Sequence, residues 1–394
     1  MKKEILFLIL AVIIIISIIF IISKIPSTQE NTEKEEWEST FGGKGNQEGF
    51  FVISTEDEGC IATGYSESDI NGDKDIFVVK VDKNGNEEWN LTFGGDEDED
   101  GKSLIQTEGK DYIIVGKTDS YGSGESDVLV LKISKDGKLI WNETFGGEKN
   151  DRANSIVKTD DGGYIIVGQS ESFGNGEYDV FLIKINSSGV EEWSNTIGGK
   201  KDEEGRSIVE NNSGGYVIAA TTRSYGEGRS DIWIINIDNN GEEQWNKTFG
   251  YEGSDLPNHI IKTEDNKFII VGHSEVNYTN RWTGVILKFD PNGNKIWETI
   301  IENETDVGLS SVTQAEGGYV STGYIGPYGN EQDQILVKID SNGDKTWTKY
   351  ISGEYCDGGI WIQKSTDGYF YITGYKDNDG SESYDLWLIR TKLT

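Results

Sequence analysis

Acidic residues with the spacing of a calcium-binding loop occur in the first third of the chain. Asp96, Asp98 and Asp100 alternate and are followed by Gly101, a pattern that places alternate carboxylates around one ion. A similar acidic fragment supplies Asp69, Asn71, Asp73 and Asp75. The bidentate Glu expected at the twelfth position is replaced by Thr107. Two interpretations stay open: a calcium site, and a solvated acidic loop without any cofactor, which we favour.

A loop rich in aromatic and basic side chains is the second candidate site. Tyr278, Arg281 and Trp282 occupy a position where other parts of the chain have a Gly-rich Ser-Tyr-Gly sequence. Arg and Trp in an exposed loop are typical of interaction surfaces, so we predict that these residues and Tyr328 bind a protein or a glycan. The alternative is that such loop aromatics pack against their own loops, as would their counterparts Tyr121, Phe173 and Tyr225.

The two histidines, His259 and His273, are the candidates for a metal site or an acid/base pair. A structural role is favoured for both, because no nucleophile elbow, zinc motif or phosphate loop accompanies them. We therefore predict a non-enzymatic binding or adhesion scaffold. The alternatives are a glycan-active lyase or hydrolase that uses a central pocket, and a structural component of the cell envelope.

These candidate sites lie within a unit that is repeated along the chain. A tryptophan recurs every 52 residues, with 50 residues before the last copy; the series is Trp37, Trp89, Trp141, Trp193, Trp245, Trp297 and Trp347. Periods near 40–50 residues are typical of propeller blades. A structural role is predicted for the tryptophans, since a large flat side chain fills the wedge between neighbouring blades.

Each unit contains four short segments with strand character. In the third copy they are 155–159, 164–168, 179–185 and 191–197, separated by turns rich in Gly, Asn, Asp and Ser. Four antiparallel strands without a crossover form a blade. The segment around Trp37 supplies one strand before the first complete unit. The sequence thus predicts an all-β, seven-bladed β-propeller that is closed by this N-terminal strand joining the last blade.

The repeat resembles known sequence families. The pattern Asp-x-Asn-Gly-x-x-x-Trp at 82–89, 238–245, 290–297 and 340–347 resembles a shortened PQQ-like propeller repeat, and the whole unit resembles uncharacterised surface β-propeller repeats of archaea and bacteria. The resemblance covers roughly 37–394 and implies a propeller. The PQQ enzymes have eight blades and, in several members, adjacent cysteines at the cofactor. Because both features are missing, no quinone cofactor is inferred.

The N-terminal segment differs in composition from the repeats. Lys2 and Lys3 precede a run of mostly Ile and Leu from Ile5 to Ile22, which is long enough to cross a bilayer. We predict an uncleaved signal anchor and transmembrane helix at 1–24, a polar stalk at 25–36 and the propeller at 37–394. The lysines favour a cytoplasmic N-terminus, so the propeller would be extracellular, or secreted if the segment is cleaved.

The charge of the chain limits its partners. Lys plus Arg number 36 against 69 Asp plus Glu, for a formal net charge of -33. Such a chain repels phosphate backbones, which excludes nucleic acid as a partner and leaves the membrane and a protein or glycan ligand. Glycosylation sequons agree with an extracellular glycoprotein and occur at Asn90, Asn142, Asn186, Asn211, Asn246, Asn277 and Asn303.

Overall fold

The computed structural model describes residues 36–67, 73–275, 281–327, 332–351, 356–378, 380 and 383–393. These residues form 28 strands. In chain order they are β1 (Trp37–Phe41), β2 (Gln47–Ser54), β3 (Cys60–Glu67), β4 (Lys74–Val81), β5 (Glu87–Phe93), β6 (Glu99–Gln106), β7 (Tyr112–Thr118), β8 (Asp127–Ile133), β9 (Leu139–Phe145), β10 (Asp151–Lys158), β11 (Tyr164–Ser170), β12 (Asp179–Ile185), β13 (Glu191–Ile197) and β14 (Glu203–Glu210). They continue as β15 (Tyr216–Thr222), β16 (Asp231–Ile237), β17 (Glu243–Phe249), β18 (Asp255–Lys262), β19 (Phe268–Ser274), β20 (Thr283–Phe289), β21 (Lys295–Ile301), β22 (Val307–Ala315), β23 (Gly318–Ile325), β24 (Asp333–Asp340), β25 (Lys345–Ile351), β26 (Asp357–Lys364), β27 (Phe370–Asp377) and β28 (Tyr384–Thr391).

Over the described residues the strands form seven four-stranded antiparallel sheets, which confirms the predicted seven-bladed propeller. Six blades consist of four consecutive strands, from β2-β3-β4-β5 to β22-β23-β24-β25. The seventh has the order β1-β28-β27-β26, so the N-terminal strand completes the last blade. Trp37 pairs with Arg390 and Phe41 with Leu386 in this closure. Closing the ring in this way removes an open sheet edge.

The predicted anchor and nearly all of the predicted stalk lie in residues 1–35, outside the described residues. Among the described residues, no helix is long and apolar enough to span a membrane.

The core lies between neighbouring blades. The second and third strands of each blade are apolar on both faces, as in Tyr164–Ser170 and Asp179–Ile185, which are buried along their whole length. Such continuous burial requires a sheet on each side. The outermost strands, such as Glu191–Ile197, are largely exposed. Charged side chains are mostly found at exposed positions, so these strands can accommodate acidic residues.

The repeated tryptophans lock one blade to the next. Trp89 donates a hydrogen bond from Nε1 to the Lys135 carbonyl of the next blade, at 3.1 Å. A Cβ on Gly137 would stand 2.6 Å from the Trp89 ring, and Gly137 has a φ of 75°. Only glycine meets both conditions without strain. Trp37 makes the same contact across the closure, donating to the Lys83 carbonyl at 2.9 Å.

Each innermost strand carries a β-bulge at the same place. In β2 the pairing with β3 runs from Gly49 to Phe51 and skips Phe50. The same irregularity recurs in β6, β10, β14, β18, β22 and β26. A bulge leaves one residue unpaired and re-aims its side chain. The fold therefore supplies seven equivalent side chains around the axis of the ring.

Candidate ligand-binding site

The bulge residues meet in one central cavity of about 600 Å³. All seven line it: Phe50, Lys102, Asn154, Arg206, Asn258, Ser310 and Ile360. His273 and Tyr324 from the second strands, Trp282 and Trp361 complete most of the wall. We call this space the axial cavity. A concave, partly aromatic site with a few converging polar groups is the usual form of a ligand-binding pocket.

Among the described residues, Lys102 provides one of the two charged groups that line the axial cavity. Its Nζ lies 3.2 Å from Asp100 Oδ2 and 3.5 Å from the centroid of the Phe50 ring. Asp100 is two residues earlier on the same strand, and its side chain is absent from the cavity wall. Glu48 is nearby, and burial raises the pKa of this carboxyl, an effect that Lys102 opposes. Lys102 is thus oriented by an acid and an aromatic face but keeps N–H groups for a ligand.

Arg206 provides the other charged group. Its Nη2 lies 2.9 Å from Glu204 Oε2, and Glu204 Oε1 lies 3.3 Å from Arg152 Nη2. Asn154 donates from Nδ2 to Glu204 Oε1 at 3.2 Å and to the Gly205 carbonyl at 2.8 Å. Arg206 Nε is buried and has no hydrogen-bond acceptor among the described residues. The guanidinium is therefore held in place while part of its donor capacity is unused.

His273 and Trp282 form a further part of the cavity wall. Their rings meet edge to face at 4.6 Å between centroids. Asn258 Nδ2 lies 3.3 Å from His273 Nδ1 and donates to the Leu309 carbonyl at 2.8 Å. Burial, together with the nearby Arg206, lowers the pKa of His273 to about 4. The imidazole is consequently neutral at physiological pH.

Trp361 connects the cavity wall to two further aromatic rings. The Trp361 ring lies 4.0 Å from the Phe51 ring and 4.1 Å from the His259 ring, between centroids. His259 Nδ1 accepts the Val312 backbone N–H at 3.2 Å and lies 3.1 Å from Ser311 Oγ. Burial lowers the pKa of His259 to about 3. His259 is thus a neutral side chain with a packing role.

The structure places part of the predicted interaction loop at the axial cavity. Trp282 lines the cavity, and its backbone N–H donates to Asp306 Oδ1 at 2.9 Å. Arg281 is exposed and donates from Nη1 to the Glu304 carbonyl at 2.7 Å. The predicted residues Tyr278 and Tyr328 lie outside the described residues.

The corresponding aromatics of three other blades do not line the axial cavity and pack against their own or the preceding blade. Tyr121 donates from its hydroxyl to the Gly94 carbonyl at 2.7 Å. Phe173 and Tyr225 contact Phe181 and Trp233, with centroids 5.6 and 5.2 Å apart. All three remain 42–46% exposed. They are thus anchored at one side and open to solvent at the other.

The predicted calcium-loop residues lie at the junction of the first two blades. The Lys74 backbone N–H, between Asp73 and Asp75, donates to Asp98 Oδ1 at 3.0 Å, so the two acidic fragments are neighbours. Asp96 is exposed. Within the described ranges, no three His, Cys, Asp or Glu side chains form a group that could hold a metal ion. Asp69 and Asn71 fall outside those ranges, and calcium at these loops stays a prediction.

Sequence reasoning missed all seven bulge residues. Phe50, Lys102, Asn154 and Arg206 occupy one phase of the repeat, and the seven copies carry six different residue types at this position. The residue before them is mostly Gly, and the residue after them is Ser in four of the seven copies. A position that varies more than its two neighbours was the available signal, because a shared scaffold preserves packing positions and leaves binding positions free to differ.

Comparison with known proteins identifies the fold. No family model matches the chain. Regulatory protein FlaEY of Caulobacter vibrioides is 23% identical over 209 residues, which cover 44% of this chain and 22% of FlaEY. The matched region thus spans about a fifth of that relative.

Solved structures of similar fold include several propellers. The Pan2 WD40 domain of Neurospora crassa has a TM-score of 0.57 at 9% identity, covering 91% of this chain and 97% of that one. Polysaccharide lyase Uly1 has a TM-score of 0.55 at 10% identity, covering 93% and 94%. YCF48 bound to D1 peptide has a TM-score of 0.52 at 11% identity, covering 91% and 96%. At such identities the likeness shows the fold alone, which is that of a β-propeller.

Proposed function

We propose that this protein is a non-enzymatic binding scaffold that takes a protein or glycan ligand into the axial cavity. The observation that carries the proposal is the ring of bulges. All seven blades direct one side chain into a single cavity, and these side chains differ in charge, size and polarity. Packing alone would be satisfied by similar residues in every copy, so the variety favours recognition of an asymmetric ligand.

The chemistry of the histidines favours binding over catalysis. In the described part of the chain, their hydrogen-bond partners are hydroxyl, amide and backbone groups rather than carboxylates. An acid/base histidine acts best with a pKa near the working pH, whereas burial holds His259 at about 3 and His273 at about 4. The Asn258 amide also occupies His273 Nδ1.

The proposal includes an extracellular location and an N-terminal membrane anchor. It is supported by the apolar run near the N-terminus and by the lysines that precede it.

Substitution at the cavity wall tests the proposal. The full chain in detergent would be screened on glycan and peptide arrays, and any ligand found would be titrated by calorimetry. Trp282→Ala is expected to weaken binding about tenfold or more, because it removes an aromatic wall of the cavity. Tyr350→Ala is the matched control, since Tyr350 lies on an outermost strand and is 54% exposed. Equal losses in both variants, or none in Trp282→Ala, would contradict the proposal.

A second candidate function is a glycan lyase or hydrolase in the same cavity. The observation in its favour is that His273, Tyr324 and Arg206 all line the cavity. Incubation of the chain with each bound glycan, followed by an assay for new reducing ends, separates the two functions. Binding without cleavage agrees with the scaffold. Cleavage that His273→Ala abolishes, while binding persists, would establish the enzyme.

A further inference from the structure

We propose that the ligand of the axial cavity is an acidic glycan, in which sugar units carry carboxylates that bind between Arg206 and Lys102. This inference rests on the proposed binding function and narrows its ligand class. Its first observation is that the charge of the cavity wall is opposite in sign to that of the whole chain. The chain has a formal net charge of -33, yet among the described residues that line the cavity the two charged side chains, Lys102 and Arg206, are cations.

The acids that contact these cations do not themselves line the cavity. Asp100 and Glu204 each precede their cation by two residues on the same strand, and neither side chain lines the cavity. A carboxylate ligand would therefore meet the cations first. Its repulsion from Asp100 and Glu204 is partly offset by Arg152, which contacts Glu204 at 3.3 Å.

Arg206 retains donor capacity that the described protein residues do not use. Its guanidinium has five N–H groups, of which Nη2 contacts Glu204 at 2.9 Å, while Nε is buried with no acceptor in the described ranges. An unpaired buried donor destabilises the folded state, because the hydrogen bond that it made to water is not replaced. A ligand oxygen that reached this edge of the guanidinium would remove that cost, and carboxylates fit the planar fork of arginine in two-pronged geometry.

The remaining wall suits sugar rings and hydroxyls. Asn154 and Asn258 use their NH₂ groups on protein carbonyls at 2.8 Å, which leaves amide oxygens as acceptors for hydroxyl donors. Trp282 and Trp361 present aromatic surface to the cavity, and the apolar faces of pyranose rings pack on such surface. A volume of about 600 Å³ is within the range of pockets for ligands of a few rings.

The bulges favour a glycan over a peptide. Each innermost strand has a free backbone edge toward the axis, to which an extended peptide would pair as an added strand. The bulge at Phe50, Lys102, Asn154 and their counterparts interrupts the regular spacing of N–H and C=O groups on that strand. The ligand must therefore be recognised through side chains. A glycan, which has no strand-like backbone, is bound in this way.

Matched acidic and neutral glycans test this inference. The probes are oligomers of galacturonate, glucuronate and mannuronate, their methyl esters, the corresponding neutral oligosaccharides and an acidic tripeptide, each titrated by calorimetry against the full chain in detergent. At least one uronate oligomer is expected to bind at least tenfold more tightly than its methyl ester. Arg206→Gln should abolish that preference, and Arg206→Lys should retain part of it.

Arg223→Gln is the control, because it removes the same charge from the same blade at an exposed ion pair with Asp202 outside the cavity wall. Its preference for the uronate should equal that of the wild type. Tighter binding of neutral glycans or of the tripeptide would overturn this inference and leave the binding function standing. No binding of any probe, together with negative arrays, would overturn both.

Discussion

Replacement of Asp255 by Asn should make the propeller more stable at neutral pH. Asp255 is buried, with 1% of its surface exposed, at a junction between blades. Its Oδ2 accepts the Tyr251 backbone N–H at 2.6 Å, and its Oδ1 accepts the Ser274 hydroxyl. Burial is the main cause that raises its pKa, to about 6, and the neighbouring Asp231 adds to it. Ionisation of this carboxyl is therefore less favourable in the folded state than in the unfolded state.

The size and sign of the effect follow from the pKa change. A shift from 3.8 to about 6 corresponds to about 3 kcal/mol at 1.36 kcal/mol per unit, and screening reduces this to about 1–3 kcal/mol. The folded state holds the proton more tightly than the unfolded state. Its contribution to stability is therefore complete below pH of about 4 and is lost as the pH rises through about 6. An Asn side chain does not ionise, so the variant gains over the wild type across this window.

The local hydrogen bonds tolerate the substitution. An Asn oxygen can accept the Tyr251 N–H, and its NH₂ can donate to the Ser274 hydroxyl, which both donates and accepts. Because unfolding entropy scales with chain length, each kcal/mol corresponds to roughly 1–2 °C in a propeller of this size. The variant should melt about 2–4 °C above the wild type at pH 7 and close to it at pH 4.

Differential scanning fluorimetry of the wild type and the variants from pH 2 to pH 7 measures this difference. Asp161→Asn is a control of opposite sign, because hydrogen bonds from Thr159 and Gly163, aided by Lys184, lower the pKa of Asp161 to about 2. It should lower the melting temperature at pH 7, and the difference should shrink as the pH falls toward 2. A pH-independent difference for Asp255→Asn, or a loss of stability at pH 7, would refute the reasoning.

Two further outcomes concern the loops between blades. Gly42→Ala should lower the melting temperature by about 2–4 °C, because its Cβ would stand 2.1 Å from Gln47 Oε1. Gly43→Ala is the control, since a Cβ there would have nothing within 4 Å, and it should change the melting temperature by less than about 1 °C. Equal effects of the two variants in thermal melts would contradict this account. EDTA and millimolar calcium should give equal melting temperatures, since Asp98 already accepts the Lys74 N–H and Asp100 pairs with Lys102; a calcium-dependent rise would assign the ion to these loops.

The blade pattern was readable from the sequence because each repeat carries its own local signals. The tryptophans at Trp89 and Trp141 recur in phase, and turn residues such as Gly137 separate the strands. The same signals exposed the unpaired strand at Trp37, from which the closure followed. Trp282 was also found from sequence, since it breaks the pattern that its counterparts keep.

Most of the cavity wall was not predictable in this way. Lys102 and Arg206 are ordinary charged residues on strands, and no spacing rule marks them as neighbours. Their positions depend on the bulges, and bulges depend on how two strands pair. His273 shows the same limit, because its neutral state follows from burial and from Arg206, neither of which is visible in a list of residues.

The sequence by itself determined the repeat, the four-stranded blade and the ring of seven, since hydrophobic alternation and turn chemistry act over short distances along the chain. Only the tertiary structure decided what lies at the axis. Residues 52 positions apart, such as Asn154 and Arg206, converge there because closure of the ring brings equivalent points of every blade to one centre. In a repeat protein the scaffold is specified by signals within each repeat, so it can be predicted from the sequence. The site is formed by one residue from every copy, and it exists only after the ring has closed.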